Sequence, residues 1–475
     1  MPIFNDFSGG QAPSIHRGIY GSFPAIVGLD IFSEPGALKV EQAMAKESGS
    51  TVTELVKNVV VASDGNSYWF SADSGKIWKR TSAAVWSLAH TNTGGACLGA
   101  REYKGFIYYA CAATLGRQSV TNASGEASWS SQNDAYQAFG NDDTGYHPME
   151  EVNGVLYVGD GKDLASWDNS TWTAAALDLP NQYRISALYP YGINILIGTY
   201  VGTSAAIKVN YCKLYLWDTA SDSWNDSDIV YEAGINAFIP MDNQVLVQAG
   251  IAGNIYYYNG SVLLPFTRVH GTYSPTQYGL VYNQAVGLFK GISLFGFSNS
   301  PDAANTTGNP AGCGIYGVGQ YDKNFPRAMS LPYPVSASSP LASVEVGCIA
   351  VIGNDLLSAW KKSTSYGVDK LSTSAKYAAA YIETLVSTGE TANKTVKFFA
   401  GYRLKPASTD ITFKHKINYA TSWTSISGHE DDTNKKLIYK NENLFDVRAL
   451  QVRVDFTVSS NSAIELDLFG AEEEG

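Results

Sequence analysis

Seven short apolar strands, each led by a Gly or Asn turn, recur along this chain at nearly even intervals. They begin at Gly65 (GNSYWFS), Gly105 (GFIYYA), Gly154 (GVLYVG), Gly192 (GINILIG), Asn243 (NQVLVQ), Gly291 (GISLFG) and Gly353 (GNDLLSAW). Successive starts lie 40, 49, 38, 51, 48 and 62 residues apart. Four short strands with their turns need about 40–50 residues, so each interval has the length of one propeller blade. Many short strands must also hide their edges, and radial closure leaves only short ones exposed. The spacing predicts an all-β fold with a β-propeller of about seven blades over 51–372.

The repeat units end alike. An aromatic closes one strand, an Asp- or Asn-rich turn follows, and a second large residue opens the next strand. Trp167 and Trp172 flank Asp168-Asn169-Ser170-Thr171, and Trp217 and Trp224 flank a longer turn led by Asp218. Asp and Asn suit these places because their side chains bond the local backbone and tolerate left-handed φ. The paired aromatics are expected to pack on the outer hairpin or against the neighbouring blade. The Trp217–Trp224 spacing is similar to that of kelch blades, but the Gly-Gly doublet of that family occurs only once in the span, at Gly94-Gly95.

The flanks differ from the repeat. Residues 1–50 are punctuated by Gly9-Gly10, Pro13, Pro24 and Pro35-Gly36 and read as an extended N-terminal arm, with a helical turn or two expected around Val40 to Glu47. Residues 373–475 carry longer strands with clean alternation, as in Ile411, Phe413, His415, Ile417 and again Val452, Val454, Phe456, Val458. Period-two patterning of that length predicts a C-terminal β-sandwich with one face of each sheet buried. The composition agrees: 45 Gly, 30 Tyr, 19 Phe and 10 Trp, with 16% charged residues, favour strands and turns over exposed helices.

The net charge of −11 disfavours attraction to phosphate backbones and anionic lipid. The five cysteines (Cys97, Cys111, Cys212, Cys313, Cys348) are scattered with no CxxC, so buried free thiols are expected in place of structural zinc or a disulfide framework. The opening MPIFNDFSGG has neither the basic nor the apolar region of a signal peptide, and no apolar run is long enough to span a membrane.

One local motif suggests chemistry. Ser71, Asp73 and Gly75, followed by Trp78, resemble the Asp box of sialidase-type propellers, although Ile77 replaces the usual Thr and the segment Thr121 to Trp129 is only a degraded second copy. In that family the box lies on an outer turn, so the motif implies a propeller and not an enzyme. A sialidase further needs three converging arginines. Arg17, Arg80, Arg101, Arg117, Arg184 and Arg268 are available, but none stands in the family's early Arg-Ile-Pro setting. Asn141-Asp142-Asp143-Thr144-Gly145 reads as a solvated turn before a calcium loop, and Asp218, Asp222, Asp226 and Asp228 read the same way. The six histidines show no metal-binding spacing. No catalytic residue, cofactor or metal is expected.

The layout as a whole resembles a known class. Phe7-Ser8-Gly9-Gly10 and Asp30-Ile31-Phe32-Ser33-Glu34-Pro35-Gly36-Ala37-Leu38 lead into the propeller. The C-terminal part then reads Tyr381-Ile382-Glu383-Thr384, Lys397-Phe398-Phe399 and Ala449-Leu450-Gln451-Val452-Arg453-Val454. This resembles the structural propeller proteins of tailed-bacteriophage virions, particularly the tail nozzle or hub proteins of short-tailed phages. The resemblance implies a non-enzymatic virion protein, assembled in the bacterial cytoplasm as a homo-oligomer, a hexameric ring below the portal and adaptor. It further implies a role in extending the DNA channel, retaining packaged DNA and supporting fibres or needle proteins. Phe7, Gly9 and Gly10 would belong to an assembly arm, and DNA would pass without specific binding. The competing class is a propeller adhesin that binds glycans or receptors, and a sialidase-like glycoside hydrolase comes third.

Overall fold

The computed structural model describes residues 3–473, apart from 15, 17, 19–20, 35, 121–133, 142–144, 205–206, 242–243, 270–278, 300–311, 320–326 and 338–343. Among the described residues every regular element is a β-strand. The repeat seen in the sequence is the repeat of the fold. Six of the turns mark the hairpin between the first two strands of one four-strand unit, and Asn243, which begins the remaining one, lies outside the described residues. In chain order the units span 56–91, 99–138, 149–178, 183–230, 235–268, 279–333 and 345–376. Three of the turns place two successive residues at positive φ, Lys104-Gly105 (45° and 79°), Asn153-Gly154 (53° and 75°) and Lys290-Gly291 (51° and 75°). That geometry matches the twist of the flanking strands, which is why Gly holds the second position.

The first strand of each unit lies innermost and touches the first strand of the next, and the ring closes where Glu345–Ile352 meets Val56–Val61. Six of the units are free-standing sheets. The sixth in chain order is not. Its outer strand, Ala328–Tyr333, pairs in parallel with Ala25–Val27, which pairs in turn with Tyr381–Glu383 and leads into the C-terminal sheet. The ring therefore has six independent blades and one that is continuous with a 13-stranded sheet.

The described residues up to Ser50 are extended, in seven short strands, but they are woven into the rest of the chain. Gln42–Lys46 is a strand where a helical turn was expected. It forms the outer edge of the last unit, with Met44 opposite Leu371 and Lys46 opposite Asp369. Five residues are too few to hold a helix alone, and a strand here buries Met44 against Trp360 and Leu371. Nearer the N-terminus, Phe4, Phe7 and Phe23 pack on Phe469 of the last strand, with ring centroids 5.4–6.3 Å from it. Phe7 is wholly buried.

The C-terminal part is built on two long strands, Ser387–Leu404 and Leu437–Thr457. The first half of the latter pairs with Ser387–Leu404 and the second half with Asp410–Ile417. The sheet thus doubles over, and Phe398 meets Phe413 across the fold at 6.3 Å. Ile411, Phe413 and His415 all point into this core, as their alternation predicted.

A clamp joins the closing strand to the first unit. Glu47, directly after Gln42–Lys46, accepts two hydrogen bonds from Arg80 (2.7 and 2.8 Å) and one from the Trp86 indole (2.8 Å). Its backbone N–H donates to Val368 in the last unit. Arg80 and Glu47 are only 3% and 7% exposed, so removing Glu47 leaves Arg80 buried with Asp355, 3.9 Å away, as its remaining counter-charge. Glu47→Gln is expected to lower the unfolding free energy by about 3–5 kcal/mol, read by denaturant titration. A loss below about 1 kcal/mol, the range of an exposed ion pair, would show that the clamp does not hold the ring.

Candidate functional site

The axis of the ring carries a funnel of about 730 Å³ that opens on the face of the first-to-second strand turns. Its floor comes from a break in one strand. In Gly279–Phe289 the pairing register shifts between Val281 and Val286, which frees Tyr282 to Ala285 from the ladder. Gln284 then reaches across the axis. Its Oε1 accepts from the Val59 N–H (2.8 Å) and its Nε2 donates to the Ala100 carbonyl (3.0 Å). The sixth unit is in this way tied directly to the first and second, past the intervening seventh. Beside Gln284, the Tyr282 hydroxyl donates to Glu345 (2.7 Å), and the Lys57 ammonium sits 4.2 Å above the Tyr282 ring.

The funnel wall mixes charge with aromatic surface. Arg101 pairs with Glu150 at 2.8 Å, and Tyr189 packs against Phe238 with ring centroids 5.8 Å apart. Burial pushes the Glu150 carboxyl up to about 7 from its ordinary 4.5, with the Arg101 guanidinium pulling the other way. Glu102 is engaged elsewhere, accepting from the Ser63 N–H and hydroxyl (2.7 and 2.5 Å) and linking the first two units.

Of the residues singled out from the sequence, Arg101 lines this funnel, and the Asp-box-like turn, the hairpin tryptophans and the Phe7-Gly9-Gly10 group do not. Ser71, Asp73 and Gly75 form the turn between the second and third strands of the first unit, on the opposite face of the ring. The Ser71 hydroxyl accepts from the Asp73 and Ser74 N–H groups (2.9 and 3.1 Å) and donates to Glu54 (2.5 Å). Asp73 accepts from the Leu55 N–H at 3.3 Å. Gly75 has φ +77°, and a Cβ there would sit 2.3 Å from the Gly95 carbonyl oxygen, so only glycine fits. Trp78 is buried with Trp69 and Trp86 between the first and last units. All four residues shape a turn and a seam.

The aromatic pairs are also seams. Trp167 and Trp172 face each other across one hairpin, and the Trp167 indole donates to the Tyr108 hydroxyl of the preceding unit at 2.9 Å. Trp217 packs edge-on against Tyr157 at 5.7 Å, and Trp224 against Tyr215 at 5.1 Å. Asp218 organises the turn between them, its carboxyl held well below the ordinary range by the Ser221 and Ala220 N–H groups. Phe7, Gly9 and Gly10 serve this chain's own core. A Cβ on Gly10 would lie 2.5 Å from the Met329 nitrogen, and one on Gly9 2.6 Å from the Ser22 nitrogen.

The other candidates disperse. Arg80 is clamped by Glu47, Arg101 pairs with Glu150, Arg117 lies over Tyr136 at 3.8 Å, and Arg268 donates to the Ala252 carbonyl. These four do not converge, and Arg17 lies outside the described residues. So do Thr121 to Trp129 and Asp142 to Thr144, while Asn141 uses its amide to donate to Asp163 at 2.7 Å. Among the described residues no three His, Cys, Asp or Glu side chains are grouped to hold a metal ion. All five cysteines are buried free thiols. The funnel groups were missed because their signal is faint. Asn283-Gln284 interrupts an otherwise apolar strand, and Glu150-Glu151 sits just before a turn.

No family model matches the chain, and no curated protein sequence matches it. Solved structures similar to it in fold include the RRP9 WD40 repeats (10% identity, 70% of this chain and 99% of that one, TM-score 0.46). The C-terminal WD40 domain of Sif2 is another (11% identity, 71% and 90%, TM-score 0.44). A third is the computationally designed Ika8 protein (11% identity, 70% and 99%, TM-score 0.42). The likeness concerns fold alone; the β-propeller assignment rests on the sheets described above.

Two measurements check this geometry. Gly75→Ala is expected to cost roughly 2–4 kcal/mol through strain at positive φ and the clash with Gly95; a neutral substitution would contradict the close approach. For Glu150, the folded state keeps its proton up to about pH 7 while the unfolded chain releases it near 4.5. Its contribution is therefore full below pH 4.5 and lost as pH rises through 7. Melting temperature should fall between pH 5 and 8, and Glu150→Gln should make that slope shallower. Part of the slope should remain, because burial also pushes Glu383 up to about 7. Identical slopes in parent and variant would contradict the burial of Glu150.

Proposed function

We propose that the chain is a structural protein of a tailed-bacteriophage virion, a tail nozzle or hub subunit that assembles in the host cytoplasm into a homo-oligomeric ring, about six copies. In this role it extends the DNA channel, helps to retain packaged DNA and supports other tail proteins. The observation that carries the reading is the weave of its three parts. The N-terminal segment, the propeller and the C-terminal sheet share one continuous hydrogen-bonded sheet, which suits a subunit that bears load without a hinge. The acidic balance supports it as well, because a wall of like charge lets a polyanion slide past. The DNA path in this reading runs between subunits and not through the propeller, whose axis Gln284 crosses. Exposed apolar side chains such as Tyr231 (82%), Ile193 (71%) and Phe445 (67%) offer contact surface to neighbouring subunits and other virion proteins.

A second reading, a glycan- or receptor-binding propeller, is favoured by the mixed aromatic and charged lining of the funnel. Electron microscopy and light scattering of the purified full chain separate the two. Closed rings of about six copies are expected. A strictly monomeric chain at tens of micromolar, with glycan binding that Tyr189→Ala abolishes, would overturn the virion reading in favour of the second.

A further inference from the structure

Besides the funnel, the chain has a second large cavity, a cleft of about 600 Å³. One wall is the N-terminal segment from Asp30 to Gln42, the other comes from the fifth and sixth units, and Lys376 closes the end. Its charge runs against that of the whole molecule. In a chain of net charge −11, Lys39, Lys290, Arg327 and Lys376 all line this one cleft, against Asp30 and Glu41.

The two acids are already satisfied by donors close by. Asp30 accepts from the Phe32 and Ser33 N–H groups (2.8 and 3.0 Å) and from the Ser33 hydroxyl. Glu41 accepts from the Gln42 N–H (3.1 Å) and the Tyr333 hydroxyl (3.3 Å). Of the cations, only Lys39 has carboxylates within ion-pair distance, Glu34 and Glu465; Glu41 acts on Lys290 and Lys376 from farther off. Among the described residues no carboxylate lies within ion-pair distance of the other three. Lys376 donates to the Val40 carbonyl (2.7 Å), which uses one of its three N–H groups. Arg327 sits over the Tyr257 ring, its Cζ 4.3 Å from the centroid, a contact that occupies the guanidinium face and not its N–H donors. Lys290 stands on the tight Lys290-Gly291 turn, which sets where its stem begins.

We propose that this cleft is a binding site for a phosphate-type oxyanion, free or carried on a larger molecule, held by Lys290, Arg327 and Lys376. A tetrahedral oxyanion offers several acceptors to donors from different directions, which is what two ammonium groups and one guanidinium edge supply. Because the three cations come from separate stretches of the chain and face the N-terminal segment, the ligand would fasten that segment to the sixth unit. The assignment does not depend on the virion reading.

The test uses the full-length protein and inorganic phosphate, with sulfate, citrate and chloride at matched ionic strength and constant pH. Phosphate is expected to bind saturably by calorimetry and to raise the melting temperature above the chloride control. The double variant Lys290→Gln, Arg327→Gln should weaken phosphate binding at least tenfold, while Lys435→Gln, an exposed lysine that does not line the cleft, should leave it unchanged. Both altered side chains sit at the cleft and not in a core, and an unchanged melting temperature in chloride verifies folding. If the double variant is destabilised, the single Lys290→Gln carries the comparison, because Lys290 is exposed. Sulfate bound as well as phosphate would support a general oxyanion site, and citrate binding alone would overturn the phosphate assignment. A melting shift no larger than that of chloride, or undiminished binding in the variants, would overturn the site altogether.

Discussion

The closing strand at residues 42–46 is the constraint on which the rest of this architecture depends. Each sheet in a ring of blades is stabilised by the apolar faces of its two neighbours, so an open ring would expose two such faces at once. Here the last unit lacks its fourth strand until Gln42–Lys46 returns from the N-terminus to supply it. Glu47 then fixes the first unit to the last through Arg80 and Trp86. The same N-terminal segment supplies Ala25–Val27, the strand that joins the sixth unit to the C-terminal sheet. A single stretch, from Ala25 to Glu47, thus holds the ring shut and attaches the C-terminal sheet.

How much of this was legible in the sequence follows from how local each cause is. The blade turns were readable because a tight hairpin needs positive φ and Gly supplies it, whatever lies around it. The alternation at Ile411, Phe413 and His415 was readable because a half-buried strand imposes period two. The role of residues 42–46 was not readable, since QAMAK acquires its strand conformation only from Ser365–Lys376, over three hundred residues away. Gly9-Gly10 could be seen as a turn, yet the contact with Met329 that demands glycine is equally remote. The Asp-box-like turn shows the reverse case. Its local bonding could be inferred from Ser71, Asp73 and Gly75, and its position on the face away from the funnel came only from the order of strands in the sheet.

The two cavities were hidden for a related reason. Gln284 matters because it crosses the axis to Val59 and Ala100, and neither partner is near it in sequence. The cleft cations are scattered from Lys39 to Lys376, so no charge run announces them. Net charge describes the surface a distant polyanion meets, whereas three cations on one cleft describe what a small ion meets inside it. Both statements hold for this chain, at different distances.

The central claim is that the N-terminal strand is an integral member of the last blade and not an appendage. Native-state hydrogen exchange on the full chain tests it most directly. If the strand closes the ring, the ladder amides of Gln42–Lys46 should open with those of Ser365–Leu371 and share their free energy of opening across a denaturant series. Exchange of 42–46 that is orders of magnitude faster than that of 365–371, with no effect on the latter, would contradict it.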